Sequence, residues 1–197
     1  PDGKTIAYDA LGAPTLYETG AGPRAFDISQ YGYQPEISNP LFTSPSFSPD
    51  GRWLTWWVSE GSSEAQRHFS LVMFDLAANT FRVVHTYVPL SGTLGWLDTP
   101  VWSPVQPWIA FQTRGEDTPW DLWVMHRDGG IAQRFGLGTN PVWNPDGHHL
   151  AFVQWPPRSD SYLAANIVIA DIPSSDAQPI GLPAGSIPLA WTSTPHP

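Results

Sequence analysis

A short pattern that occurs four times constrains this chain more than any other feature. In each copy an aromatic residue ends an apolar stretch just before a turn sequence, as in PSFSPDGRWLTWW, PVWSPVQPWIAFQ, PVWNPDGHHLAFV and IPLAWTSTP. These aromatic residues are Phe47, Trp102, Trp143 and Trp191, separated by 55, 41 and 48 residues. The first residues, PDGKTIAYDA, begin at the same turn and read as the second half of a unit. Self-similarity at this period indicates a repeat architecture.

Each unit contains only segments that resemble strands. TIAYDA, WLTWWVS, WIAFQT and HLAFVQ follow the turns, and FSLVMFDL, DLWVMHRD and NIVIADI come later in their units. Runs of β-branched and aromatic residues bounded by Gly, Pro, Asn and Asp are typical of strands, and no convincing amphipathic helix pattern is present. A strand-only repeat of this length predicts an all-β fold, a β-propeller built from four-stranded antiparallel blades.

The turn within the repeat is predicted to be structural and not catalytic. Proline fixes φ at the first corner, aspartate bonds its own backbone, and glycine supplies a positive φ. The residue before the proline can cap the turn with a side-chain hydrogen bond. We therefore assign turn roles to Ser48, Pro49, Asp50, Gly51, Ser103, Pro104, Asn144, Pro145, Asp146 and Gly147.

SPDGRWLTWW, NPDGHHLAFV and SPVQPWIAFQTRGEDTPWDLWVMHRDGG resemble the repeat of the TolB-type β-propeller family. The resemblance covers essentially the whole chain as four units. It departs where Val105-Gln106 replaces Asp-Gly and in the irregular stretch 10–35. In the family the strand before the turn is the innermost of its blade. The resemblance thus implies a single propeller domain or propeller fragment over 1–197. Its blades are approximately 1–48 (inner strand supplied by 185–194), 49–103, 104–144 and 145–191.

Four units leave two architectures open. The chain closes on itself as a four-bladed ring, or it is half of a larger ring that other sequence or a second copy completes. Four blades are the low end of the propeller range, and an open arc leaves strand edges exposed to pairing. TolB-type propellers usually have more blades, which favours a partial or self-associating arc.

Composition excludes several classes of partner. The net charge is −9 with only 9 Lys and Arg, which argues against nucleic acid and against an anionic membrane surface. No apolar run is long enough to span a bilayer, so we expect no membrane insertion in this chain. The chain has no cysteine, which fits an exported bacterial protein. The family resemblance likewise implies a periplasmic or extracellular location.

Known catalytic motifs are missing. There is no Gly-x-Ser-x-Gly elbow, no His-Glu-x-x-His, and no glycine-rich phosphate loop. His148 and His149 adjoin, but neighbours on a strand face opposite sides. We predict no catalytic residue, no metal, no cofactor and no enzymatic activity. The loop RGEDTPWD, with Glu116 and Asp117, resembles a calcium loop only in composition.

The positions of the tryptophans predict which residues pack in the core and which bind a partner. Trp102, Trp143 and Trp191 share one repeat position and are expected to pack between blades. Tryptophans in or near loops suit binding hot spots. The partner-binding candidates are Trp96, Trp120, Trp155, Arg114, Glu116 and Asp117.

We expect a noncatalytic binding or scaffold module that presents loops and a central opening to a protein partner, with a glycan as another possible ligand. The alternatives are a propeller accessory to a peptidase or hydrolase, as in prolyl-oligopeptidase-like peptidases, and a carbohydrate-binding or lyase propeller. An accessory propeller would be joined to a hydrolase segment with its own nucleophile elbow. A lyase would need His, Glu or Arg side chains converging on the central opening.

Overall fold

The structure is a computed structural model, and it describes residues 3–9, 14–25, 45–61, 66–89, 97–114, 120–156, 165–174, 176–183 and 186–191. Across these residues the regular structure consists of strands, and none of them forms an α-helix. The strands are β1 (Thr5–Asp9), β2 (Pro14–Glu18), β3 (Gly22–Ala25), β4 (Ser46–Phe47), β5 (Trp53–Glu60), β6 (His68–Asp75), β7 (Thr80–Tyr87), β8 (Val101–Trp102), β9 (Trp108–Thr113), β10 (Asp121–His126), β11 (Gln133–Trp143), β12 (His149–Gln154), β13 (Asn166–Asp171) and β14 (Ala177–Ile180). No helix capable of crossing a membrane is found in the described part of the chain.

The strands form three antiparallel sheets. β1, β2 and β3 make the N-terminal sheet, β4 to β7 make blade I, and a seven-stranded sheet runs from β8 to β14. The seven-stranded sheet is two blades that share β11, because β11 pairs with β10 up to Leu137 and with β12 from Gly138 onward. Blade II is β8 to the first part of β11, and blade III is the second part of β11 to β14. The predicted architecture of four-stranded antiparallel blades is confirmed.

The described sheets form an open arc and not a closed ring. In the described residues β1 pairs only with β2, so no inner strand lies along its other edge. Residues 186–191, predicted to supply that strand, form no sheet pairing among the described residues. Among the described residues, the sheets are therefore not closed into a four-bladed ring.

β11 crosses between two blades at a bend. Asn140 takes a left-handed conformation (φ 54°), and the register with β12 shifts between Thr139 and Val142. Gly138 lies directly against the ring of Phe152, so that a Cβ there would stand 2.8 Å from a ring carbon. Only glycine fits this close approach, which lets one continuous strand end blade II and begin blade III.

The repeated turn has the same local geometry in two blades. The amide of Gly51 donates to the Ser48 carbonyl at 2.9 Å, and that of Gly147 donates to the Asn144 carbonyl at 2.8 Å. Both glycines have φ near +70°, at 70° and 72°. The residue before the proline also bonds through its side chain, since Asn144 Oδ1 accepts from the amide of Asp146 at 3.0 Å.

Indole hydrogen bonds connect the inner strands of neighbouring blades. Trp143 Nε1 donates to the Val101 carbonyl at 3.0 Å, across the boundary between blades II and III. Trp191 Nε1 donates to the Val142 carbonyl at 3.0 Å in the same way. Each acceptor is the residue that precedes the repeat aromatic of the previous inner strand, so residues 186–191 occupy the inner-strand position next to blade III.

The boundary between blades I and II uses one additional side chain. Trp102 Nε1 donates to Thr55 Oγ1 at 3.0 Å, and that hydroxyl donates to the Ser46 carbonyl at 3.2 Å. Ser46 again precedes the repeat aromatic, here Phe47. The links of Trp102, Trp143 and Trp191 therefore reach the same acceptor position, directly or through a buried threonine.

Each apolar core lies between two adjacent sheets and not within one. Central strands bury both faces, as in β5, where seven of eight residues are buried. The N-terminal sheet packs on blade I through Leu16, Leu54, Trp56, Val58, Val72 and Phe74. Blade I packs on blade II through Trp57, Phe69, Leu71, Met73, Trp102, Ile109, Phe111 and Met125. Blade II packs on blade III through Ala110, Leu122, Val124, Leu150, Phe152, Val168 and Ala170.

The indole bond between blades I and II is expected to contribute measurably to stability. Trp102→Phe keeps an aromatic ring and removes the donor, and Thr55→Val keeps the shape and removes the acceptor. Chemical denaturation of both single variants and the double variant should give a coupling free energy of about 1 kcal/mol. Pairing Trp102→Phe with Thr139→Val, a buried threonine at the boundary of blades II and III, should give none. A zero coupling at Thr55 would show that the indole bond adds nothing to ring packing.

Candidate functional site

The arc has two faces that carry different connections. The turn face holds the repeated turns 48–51, 103–107 and 144–147. The loop face lies at the other end of the strands, where β7, β9 and β12 end and the connections 88–100, 114–120 and 155–165 follow. Antiparallel pairing of β9 with β10 and of β12 with β13 places these connections together at one end of the blades.

Three of the partner-binding candidates, Arg114, Trp120 and Trp155, lie at the loop face. Trp96, Glu116 and Asp117 lie outside the described residues. Arg114 directly follows β9 with its side chain exposed, and its carbonyl accepts from the Tyr87 hydroxyl at 3.0 Å. That bond fixes the start of the 114–120 connection against the end of β7.

Two tryptophans of the loop face pack together. Trp155 is only 4% exposed and forms a cluster with Val153 and Ala165, against which Trp120 and Leu137 pack. Trp155 therefore belongs to a buried cluster beneath the loop face, while Trp120 is partly exposed. Arg114 and Trp120 are the described candidates whose side chains reach solvent.

A buried glutamine joins two segments of the loop face. Gln112 is 3% exposed; its Nε2 donates to Asp98 Oδ2 at 3.1 Å, and its Oε1 accepts from the amide of Asn140 at 3.1 Å. It thereby joins the end of the 88–100 connection to the bend in β11. Sequence reasoning missed Gln112 and Asp98, because nothing in the repeat pattern marks contacts between residues 14 and 28 positions apart.

The turn face contains a cleft of about 390 Å³ between the turns of blades I and II. Asp50, Gln106 and Arg127 are among its polar lining residues, and Trp102 and Pro107 are among its apolar walls. A hydrogen bond from the Ser48 hydroxyl, with smaller contributions from the Arg52 amide and the charges of Arg127 and Arg52, lowers the pKa of Asp50 below its usual value. Asp50 is therefore a turn residue whose carboxylate is also presented to this cleft.

Two arginines near this cleft, Arg82 and Arg52, bind groups of the turn face. Arg82 of β7 donates to the carbonyls of Arg127 at 2.7 Å and Asp128 at 3.2 Å, which ties blade I to the hairpin of blade II. Asp75 is 2% exposed and accepts from Arg52 Nη2 at 2.6 Å. That bond, assisted by the amides of Ala78 and Ala77, lowers the pKa of Asp75 to about 2.

The two adjacent histidines form separate contacts. His149 Nδ1 lies 2.9 Å from Asp146 Oδ2, whereas His148 Nε2 lies 3.0 Å from Gln106 Nε2 of the neighbouring turn. Within the described ranges, no group of three His, Asp or Glu side chains is arranged to hold a metal ion.

His85 lies among aromatic rings between blades I and II. Its ring centroid is 5.2 Å from Phe111, 6.3 Å from Trp57 and 6.3 Å from Trp123. Burial lowers the pKa of His85 below its ordinary value. This site was not found from the sequence, because its partners come from three different strands.

Comparison with solved structures identifies the fold. A structure described as a TolB protein of Agrobacterium tumefaciens matches 91% of this chain and 61% of its own, with a TM-score of 0.57 and 20% identity. An oligogalacturonate lyase of Vibrio parahaemolyticus matches 90% of this chain and 50% of its own, with a TM-score of 0.64 and 14% identity. The chain has the TolB-like β-propeller fold.

A protease domain extends the comparison. The β-propeller domain of the Trilobed protease from Pyrococcus furiosus, described as having an open velcro topology, matches 73% of this chain and 43% of its own, with a TM-score of 0.55 and 16% identity. The chain thus spans 61%, 50% and 43% of the length of these three structures. No protein-family model and no curated protein matches the sequence.

The stability of the propeller is expected to depend on His85 in mildly acidic solution. The unfolded chain takes up a proton there at a pKa of about 6.5, and the folded chain does so only at lower pH. The unfolding free energy is therefore highest above that pH and declines as the pH falls through it, until the folded pKa is passed. His85→Phe keeps an aromatic ring and removes the titration. Between about pH 7.5 and pH 5.5 the wild type should lose more unfolding free energy than the variant. If the unfolding free energies of the wild type and of the variant fell equally with pH, this role of His85 would be contradicted.

Proposed function

We propose that this chain is a noncatalytic propeller module whose loop face binds a protein partner. The observation that carries the proposal is topological: the described candidates Arg114, Trp120 and Trp155 lie together at one end of the blades. Rigid strands hold the described ones, with Arg114 fixed through Tyr87 and Trp120 packed near Trp155. Loops positioned by a rigid scaffold are where propellers and other β-folds carry recognition.

The buried contacts beneath the loop face support this proposal. Gln112 joins two loop-face segments through hydrogen bonds to Asp98 and Asn140, so part of the surface is ordered before a partner arrives. Preordered loops lose less conformational entropy on binding.

We also propose a location in the bacterial envelope or outside the cell. The fold similarity to a protein described as TolB supports it, as does the absence of cysteine. A second candidate function is a propeller domain accessory to a peptidase. It is favoured by the similarity to a propeller that is one domain of a protease, of whose chain the match covers 43%.

Affinity capture with matched charge variants tests the loop-face proposal. The immobilised chain is exposed to an envelope extract of its source organism, and captured proteins are quantified by mass spectrometry. Arg114→Glu changes an exposed loop-face cation, and Arg127→Glu is the matched change on the turn face. We expect the first variant to lower capture of a specific partner about tenfold and the second to leave it unchanged.

The same preparation separates the candidate functions. Equal loss of capture in both variants, or loss with Arg127→Glu alone, would contradict the loop face as the binding surface. Turnover of peptides or of oligogalacturonate by the purified chain would contradict a noncatalytic role. Capture of a peptidase as the partner would favour the accessory function.

A further inference from the structure

The turns of blades II and III are in direct contact, whereas a cleft separates the turns of blades I and II. A Cβ added at Gly147 of the blade III turn would stand 2.5 Å from Ser103 Oγ and 2.7 Å from a methyl carbon of Val105. His148 Nε2 also lies 3.0 Å from Gln106 Nε2. Between the turns of blades I and II the equivalent space is instead the turn-face cleft of about 390 Å³.

The departure of the blade II turn from the repeat accounts for this difference. Gln106 stands at the turn position that is glycine in the other two turns, Gly51 and Gly147. Glycine lets one turn approach its neighbour closely because it has no Cβ. The blade II turn therefore cannot pack on Ser48 of blade I as Gly147 packs on Ser103. The replacement of Asp-Gly by Val-Gln thus leaves a cleft open.

One oxygen of the Asp50 carboxylate has no hydrogen bond among the described residues. Asp50 Oδ1 accepts from the Ser48 hydroxyl at 2.5 Å and from the Arg52 amide at 3.0 Å, whereas Oδ2 accepts from neither. The equivalent aspartate of blade III differs, because Asp146 Oδ1 accepts from two backbone amides and Oδ2 lies 2.9 Å from His149 Nδ1. Of these two turn carboxylates, the one at the cleft keeps an acceptor for a ligand.

Arg127 brings a positive charge to the same cleft. Arg52 and Arg82 of the same face donate hydrogen bonds to a carboxylate and to backbone carbonyls. Within the described ranges the Arg127 guanidinium makes a 3.9 Å contact with Asp128 and no hydrogen bond. No ion pair joins it to Asp50 there. A hydrogen bond from the neighbouring hydroxyl is the main cause of the lowered pKa of Asp50, and the charge of Arg127 contributes.

The cleft therefore has two opposite charges that do not neutralise each other by contact. A molecule with both an ammonium and a carboxylate group would satisfy both of them, since charge-assisted hydrogen bonds are the strong ones. The rings of Trp102, Pro104 and Pro107 line the same space and suit an apolar side chain. Its volume lies at the low end of the range of ligand pockets, so the molecule must be small.

We propose that this cleft binds a small zwitterion of the amino-acid type with an apolar side chain. The ammonium donates to Asp50 Oδ2, the carboxylate accepts from the Arg127 guanidinium, and the side chain packs on the rings of Trp102 and Pro107. A free amino acid and a short peptide share these groups. The site is separate from the loop face, because it lies at the other end of the strands.

NMR titration with ligands that carry or lack each charge tests the proposal. L-phenylalanine and the dipeptide alanyl-phenylalanine are the probes, and the indole resonance of Trp102, a wall of the cleft, reports binding. We expect a dissociation constant of about 1 mM for the zwitterion that fits the two charges. Its N-acetylated form lacks the ammonium and its C-amidated form lacks the carboxylate, and each should bind about tenfold more weakly. Tighter binding of phenylalanine would identify a free amino acid as the ligand, and tighter binding of the dipeptide a peptide.

Matched variants assign each charge to its partner. Asp50→Asn keeps the turn acceptor and removes the charge, so the zwitterion should bind about tenfold more weakly and N-acetylation should have no further effect. Arg127→Gln should do the same for amidation. The controls are Asp146→Asn, whose carboxylate is bonded within its own turn, and Arg134→Gln, whose guanidinium is paired with Asp121. Both controls should bind the zwitterion as the wild type does.

Three results would overturn the proposal. The first is an unchanged Trp102 resonance with both zwitterions at about ten times the expected dissociation constant. The second is equal binding of the zwitterion and of its N-acetylated or amidated form. The third is an equal loss of affinity in the control variants. None of them affects the proposed function, because the loop face lies at the other end of the strands.

Discussion

The indole hydrogen bond between neighbouring inner strands is the interaction on which the placement of blades I, II and III depends. Inner strands β4 and β8 are two residues long, too short to align one blade with the next by strand pairing. A tryptophan at the repeat position aligns the blades, because its ring fills the space between them while Nε1 donates to a backbone carbonyl of the previous blade or, for Trp102, to the Thr55 hydroxyl that bonds such a carbonyl. Trp102, Trp143 and Trp191 all use the same acceptor position, directly or through Thr55, so the blades that they connect take equivalent places around the arc.

Burial on both faces of the central strands follows from this stacking. β5 contributes Trp56 to the core facing the N-terminal sheet and Trp57 to the core facing blade II, since adjacent strand residues point to opposite faces. With the strands held so firmly, variation is left to the connections. The connections of the loop face can therefore vary in sequence without disturbing the strands. Hydrogen bonds from buried polar side chains such as Gln112 hold segments of this face against the strands.

Local chemistry made the fold predictable from the sequence, and distance along the chain made much of the site unpredictable. The Ser-Pro-Asp-Gly turn and the strands beside it depend on neighbouring residues, so the blades and the TolB-like propeller followed from the repeat. The sharing of β11 by two blades did not, because it needs a glycine at 138 that fits against Phe152. Long-range contacts could not be predicted from the sequence either. The packing that buries Trp155, the hydrogen bonds of Gln112 and the ring cluster around His85 each involve segments that are far apart along the chain.

Hydrogen exchange of the indole protons tests the central claim most directly. The indole Nε1–H resonances of the 11 tryptophans can be assigned by single Trp→Phe variants and followed by NMR after transfer to heavy water. The account predicts that the protons of Trp102, Trp143 and Trp191 exchange slowly and at similar rates, because each is bonded across a blade boundary. Exchange of these three as fast as that of a solvent-exposed indole would show that the blades are aligned by apolar packing alone.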